Sequence, residues 1–137
     1  MAQSLNFQTT NPAQLNDRVT ELQTAVQLDE QNKLAVAEYT AAGAIALGGV
    51  AYLKAGSAAA MTLAQPIAGA QSAGGNDGMS LKIVALDAFA YTVTTALLGF
   101  NGSTHIATWT AAISNSLTLE AFGGTWYATG LSGVALT

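Results

Sequence analysis

The chain has 137 residues and a net charge of −4, and only 9% of it is charged, against about a quarter in an average soluble protein. No Lys/Arg cluster is present, which argues against a nucleic-acid partner, because phosphate binding needs one. There is no cysteine, so no disulfide framework or thiolate site can form.

Half of the residues are hydrophobic, but many are alanines, which bury little area each. A small Ala-rich domain has a modest stability margin, and oligomerisation is a common remedy. Asp17, Arg18, Glu21, Asp29, Glu30, Lys33 and Glu38 all precede residue 40. Beyond it only Lys54, Asp77, Lys82, Asp87 and Glu120 are charged. The nearly uncharged remainder must solvate itself with Thr, Ser, Asn and Gly or be covered by other chains; the second reading is preferred.

The N-terminus lacks the basic start and apolar run of a signal peptide. Residues 1–11 read as a polar arm, either a loose terminus or a segment that orders on a partner. A helix is expected over 12–33: Asn11 can cap it, Pro12 suits the first helical position, and Gln14 suits a capping box. Leu15, Val19, Leu22 and Val26 recur at spacings of four, three and four, as in a coiled-coil seam, until Asp29 and Lys33 end the pattern. Such a helix either lies on its own domain or forms a short intersubunit bundle. The low charge of the remainder favours the bundle, with these four residues as the oligomerisation seam.

From Leu34 to the end the texture is that of a β domain. The longest apolar stretch, Ala41 to Leu53, is too short and Gly-rich to span a bilayer, so no membrane is expected. Gly48-Gly49 separates Ile45–Leu47 from Val50–Leu53, and the loop Gly74 to Gly78 precedes a strand at Met79. Leu81, Ile83 and Ala85 alternate with Ser80, Lys82 and Val84. Phe89, Tyr91 and Val93 alternate with Ala90, Thr92 and Thr94, in a strand ending near Leu98. Asn101-Gly102 turns the chain into Thr104–Thr110. Leu117, Leu119 and Ala121 alternate with Thr118, Glu120 and Phe122. Each alternation is a period-two strand signal. Gly123-Gly124 is a two-residue hairpin turn that sets Ala121 opposite Trp126 and Glu120 opposite Tyr127, with Leu119, Ala121 and Trp126 on the core face. About eight short strands with frequent turns predict a mainly β protein, with a β-sandwich or jelly-roll-like body and a short N-terminal α-helix.

The residues offer no catalytic, cofactor or metal constellation. His105 is the single histidine, and one His with distant Asp77 and Asp87 is no metal signature. No spacing ties His105 and Asp87 to a nucleophilic serine, and no phosphate loop or dinucleotide fingerprint occurs. Asp77 belongs to its turn, and Asp87 caps a bend between strands. Asn101-Gly102-Ser103 matches a glycosylation acceptor but reads more simply as a turn. Trp109, Trp126, Tyr127 and Tyr91 suit a core or a sugar-stacking platform; Trp126 is assigned to the core, and Tyr127 and Trp109 are candidate surface contacts.

A succession of motifs carries a family resemblance: Gly56 to Pro66, Asp77 to Val84, Ala90 to Thr94, Gly99 to Gly102, Ala107 to Trp109, and Ser116 to Tyr127 with its closing Trp-Tyr. It resembles the small head-decoration (cement) or head-fibre proteins of tailed bacteriophages over about residues 39–129, with Tyr91 where a histidine is expected before Thr-Val-Thr. The resemblance implies a β-sandwich or jelly-roll body, commonly a homotrimer, bound through the major capsid protein to the capsid exterior of the virion after synthesis in the host cytoplasm. It implies no catalytic residue. The N-terminal segment would mediate trimer contacts or capsid attachment, with the arm Met1 to Asn11 the candidate for the latter. The competing expectation is a fibre-type or carbohydrate-binding module for a host surface.

Overall fold

The computed structural model describes residues 18–23 and 35–137. The chain divides into two units between Leu34 and Ala35. In the first, residues 18–23 are helical, and all six are exposed.

The second unit is a β-sandwich of two five-stranded sheets. Its strands are β1 (Val36–Tyr39), β2 (Gly43–Ile45), β3 (Gly49–Leu53), β4 (Ala60–Leu63), β5 (Ser80–Ala85), β6 (Thr92–Thr94), β7 (Ile106–Trp109), β8 (Ser116–Phe122), β9 (Thr125–Ser132) and β10 (Val134–Leu136). A short 3₁₀ turn, Gln71–Ala73, lies between β4 and β5. The first sheet runs β1-β3-β5-β8-β9 and the second β10-β7-β6-β4-β2.

The first six strands alternate between the sheets. β1, β3 and β5 pair in parallel in one, and β2, β4 and β6 pair in parallel in the other. Parallel neighbours need a crossover, and here a strand of the opposite sheet supplies it in place of the usual helix. The last four strands pair antiparallel. The parallel pairs separate this sandwich from a jelly roll, whose strands are antiparallel.

The two inner faces share one hydrophobic core. Each strand contributes alternate residues: Leu81, Ile83 and Ala85 from β5, Leu117, Leu119 and Ala121 from β8. Small side chains such as Ala51, Ala85, Ala107 and Ala121 are balanced by four fully buried aromatics, Trp109, Trp126, Tyr91 and Phe100. Both indole N–H groups are paired, Trp109 Nε1 donating to the Asn115 carbonyl at 3.1 Å and Trp126 Nε1 to the Ala64 carbonyl at 2.9 Å.

The hairpin stands where the sequence puts it. Gly123 and Gly124 both have positive φ, 60° and 83°, as a type I′ turn requires. Ala121 pairs with Trp126, and Glu120 with Tyr127. Other boundaries move. Phe89 is not in a strand and is 38% exposed, because the chain bends at Leu86–Ala88 and enters β6 only at Thr92. β6 also ends at Thr94, not near Leu98, and residues 95–105 form a loop. The expected β2 run shifts to Gly43–Ile45, and the strands number ten.

The topology groups the loops at two ends. Residues 46–48, 64–79, 95–105 and 123–124 lie at what is here the hairpin end. Residues 40–42, 54–59, 86–91, 110–115 and 133 lie at the far end.

Candidate functional site: the outer faces and ends of the sandwich

The polar groups that sequence reasoning weighed for chemistry hold the fold together. The Asp87 carboxylate accepts the Gly56 N–H at 2.9 Å and the Tyr91 hydroxyl, which itself accepts the Ala55 N–H at 2.8 Å. Asp87 thus caps its bend and fastens it to loop 54–59. Burial raises the Tyr91 pKa above its ordinary value of 10.0, and its hydrogen bond to Asp87 adds to the shift. Asp77 lies at the opposite end, where its carboxylate accepts the Gly123 N–H at 2.9 Å and ties the 74–78 loop to the hairpin turn. His105 is half-buried just before β7; its backbone N–H donates to the Thr137 carbonyl and its backbone carbonyl accepts from the Thr95 N–H. Among the described residues no three His, Cys, Asp or Glu side chains group as a metal site would. No described helix is long and apolar enough to cross a membrane.

The sequence-derived contact residues fall in different places. Val19 and Leu22 are 44% and 67% exposed on the helical segment, and Leu15 and Val26 lie outside the described residues. Tyr127 is 45% exposed on the outer face of β9, in register with Glu120. Trp109 is fully buried. It is a core residue and not a surface contact, because it alternates with exposed Thr108 and faces inward beside Ala107.

The outer faces differ in charge. On the first sheet, register aligns Val36, Val50, Lys82 and Thr118 in one row and Glu38, Tyr52, Val84 and Ser116 in the next, with Ser80, Glu120 and Tyr127 beyond. On the second, the rows are Ala60, Thr92, Thr108, Ala135 and Ala44, Thr62, Thr94, Ile106. Glu38, Lys82 and Glu120 thus all stand on the first sheet, and the rows of the second carry no charge.

The hairpin end also carries large exposed apolar side chains: Ile67 at 61%, Leu97 at 73%, Leu98 at 48% and Phe122 at 65%. A strand that ends near Leu98, as the sequence suggests, would not set Leu97 and Leu98 apart; the structure places both in a loop. The available signal was their place between a Thr-rich strand and the turn residues Gly99 and Asn101-Gly102. Comparison of the chain with family models, with curated proteins and with solved structures returns no match.

Proposed function

We propose that this chain is a non-enzymatic structural protein of a tailed-phage virion, a capsid decoration protein that binds the outer shell as a homo-oligomer and stabilises it. The observation that carries the reading is the segregation of charge. A β-sandwich turns its few strand charges out from one sheet and presents on the other uncharged rows of Thr and Ala with Ile106. Such a face adds no charge-desolvation cost when another chain covers it. The motif succession over residues 39–129 supports the same reading by resemblance.

Function follows from valency. An oligomer offers several copies of one weak contact, and after the first engages the others bind intramolecularly. Binding the assembled shell but not its dissociated parts stabilises the shell by linkage. Leu22, two-thirds exposed on its helical segment, is open to a partner helix. Leu22→Asp is expected to break the oligomer; an unchanged mass by light scattering would remove Leu15, Val19, Leu22 and Val26 as its seam.

The test of function is addition of the chain to isolated expanded capsids that lack it. Co-sedimentation and a raised capsid melting temperature are expected. Failure to bind would reject the reading. The rival, a carbohydrate-binding module, loses Trp109 from its aromatic platform and retains Tyr127; hits on a glycan array that vanish in Tyr127→Ala would favour it.

A further inference from the structure

Loop 95–105 presents two leucines that folding does not explain. Leu97 is the most exposed large apolar side chain among the described residues, at 73%. Leu98 is 48% exposed and sits at φ 63°, in the left-handed region that leucine rarely adopts. Neither belongs to the core. A Gly or Asn at 98 would suit this backbone better.

The loop holds that conformation from both sides. Before the leucines, the Thr95 N–H donates to the His105 carbonyl at 2.8 Å, the Thr95 hydroxyl to Ala96 at 2.9 Å, and the Gly99 N–H to Ala96 at 2.9 Å. After them, Phe100 is fully buried. The Trp126 backbone N–H donates to the Gly99 carbonyl at 2.9 Å, the Asn101 backbone N–H to the Trp126 carbonyl at 2.8 Å, and the Ala128 N–H to Asn101 Oδ1 at 2.9 Å. The turn is tight enough that a Cβ on Gly99 would lie 2.2 Å from Thr95 Oγ1. A side chain projected from a braced backbone is a preorganised anchor, since little backbone freedom remains to be lost on binding.

The surroundings indicate what the anchor enters. The hairpin-end loops 46–48, 64–79, 95–105 and 123–124 contain no Lys or Arg, and Asp77 is their only acid. Membrane-seeking apolar tips are usually flanked by basic residues that meet anionic headgroups, and this one is not. An uncharged apolar knob fits a preformed apolar pocket on a protein. Resting on the decoration reading, we propose that Leu97 and Leu98 form a preorganised knob that seats in an apolar pocket of the shell protein, with the hairpin end facing the shell.

The experiment compares the full chain with Leu97→Ser/Leu98→Asn, with Leu98→Asn alone, and with Ile113→Ser, a control at the far end where Ile113 is 64% exposed. Readouts are co-sedimentation with capsids lacking the protein, co-sedimentation with phosphatidylglycerol vesicles, thermal melting and light-scattering mass. The double variant is expected to keep its mass and lose at least about tenfold in shell affinity, the scale of an anchor residue. Leu98→Asn should melt no lower than the parent, since Asn tolerates the left-handed region, and Ile113→Ser should bind as the parent does. A double variant of unchanged mass and melting that binds shells like the parent would overturn the knob and leave the decoration reading standing. So would Leu98→Asn melting lower, because the fold would then account for the leucine. Parent binding to vesicles but not shells, or to neither, would reject the decoration reading and the knob together.

Discussion

At the far end of the sandwich, the Asp87 carboxylate and the Tyr91 hydroxyl close loop 54–59 over the core, and the Trp109 indole pins the Asn115 carbonyl. At the hairpin end, Asp77 caps the Gly123-Gly124 turn, the Trp126 indole pins the Ala64 carbonyl, and Asn101 hydrogen-bonds along the outer edge of β9. Each end therefore spends one tryptophan and one aspartate on its loops. The difference lies in the third device. The far end adds a buried phenol, whereas the hairpin end adds a loop that covers a strand edge and lifts two leucines into solvent. Covering β9 in this way protects an edge that is otherwise a template for another chain. In both cases a carboxylate is held in place by the loop that it closes.

The largest expected effect tests the symmetry of the two ends. Trp109→Ala and Trp126→Ala should each cost about 3–5 kcal/mol in denaturant unfolding, since each removes a fully buried indole. A large inequality would mean that one end yields independently of the other. Gly99→Ala comes next, at about 1–3 kcal/mol, because its Cβ must displace the Thr95 hydroxyl. It acts on the hairpin end alone.

The two aspartates then separate the ends. Asp87→Ala strips a partner from the Tyr91 hydroxyl, on a side chain only 1% exposed, and should cost about 1–3 kcal/mol. Asp77→Ala removes one exposed bond to Gly123 and should cost about 1 kcal/mol or less. The raised Tyr91 pKa predicts a pH dependence with a definite sign. The unfolded tyrosine ionises first, near 10.0, so stability is fully present below that pH and falls as pH climbs toward the higher folded value. Tyr91→Phe should flatten this alkaline slope in melts taken above pH 10; an unchanged slope would mean another group causes it. The smallest effect has the opposite sign. Leu98→Gly should leave stability unchanged or raise it by up to about 1 kcal/mol, as the left-handed strain is relieved.

Much of the candidate surface was legible where the pattern is local. The hairpin turn alone places Tyr127 outward and Trp126 inward, and Asp87 and Asp77 occupy the bend and the turn that their sequence context suggests. Trp109 reads in the sequence as a candidate contact, although strict alternation around Ala107 puts it inside. The knob at Leu97 and Leu98 was not legible. An apolar pair after Thr-Val-Thr looks like the continuation of a strand, and only the long-range bonds to Trp126 and His105 turn it into a braced loop.

The sequence by itself determined the mainly β class, the hairpin and its register, the alternation of β5 and the inward face of β8. These depend on side-chain period and turn chemistry, which act over a few residues. The tertiary structure decided that the first six strands coil between two sheets and pair in parallel, that charge gathers on one outer face, and which apolar side chains stay uncovered. A period of two reads the same in parallel and antiparallel strands, so pairing direction and sheet membership are settled only when distant segments share one core.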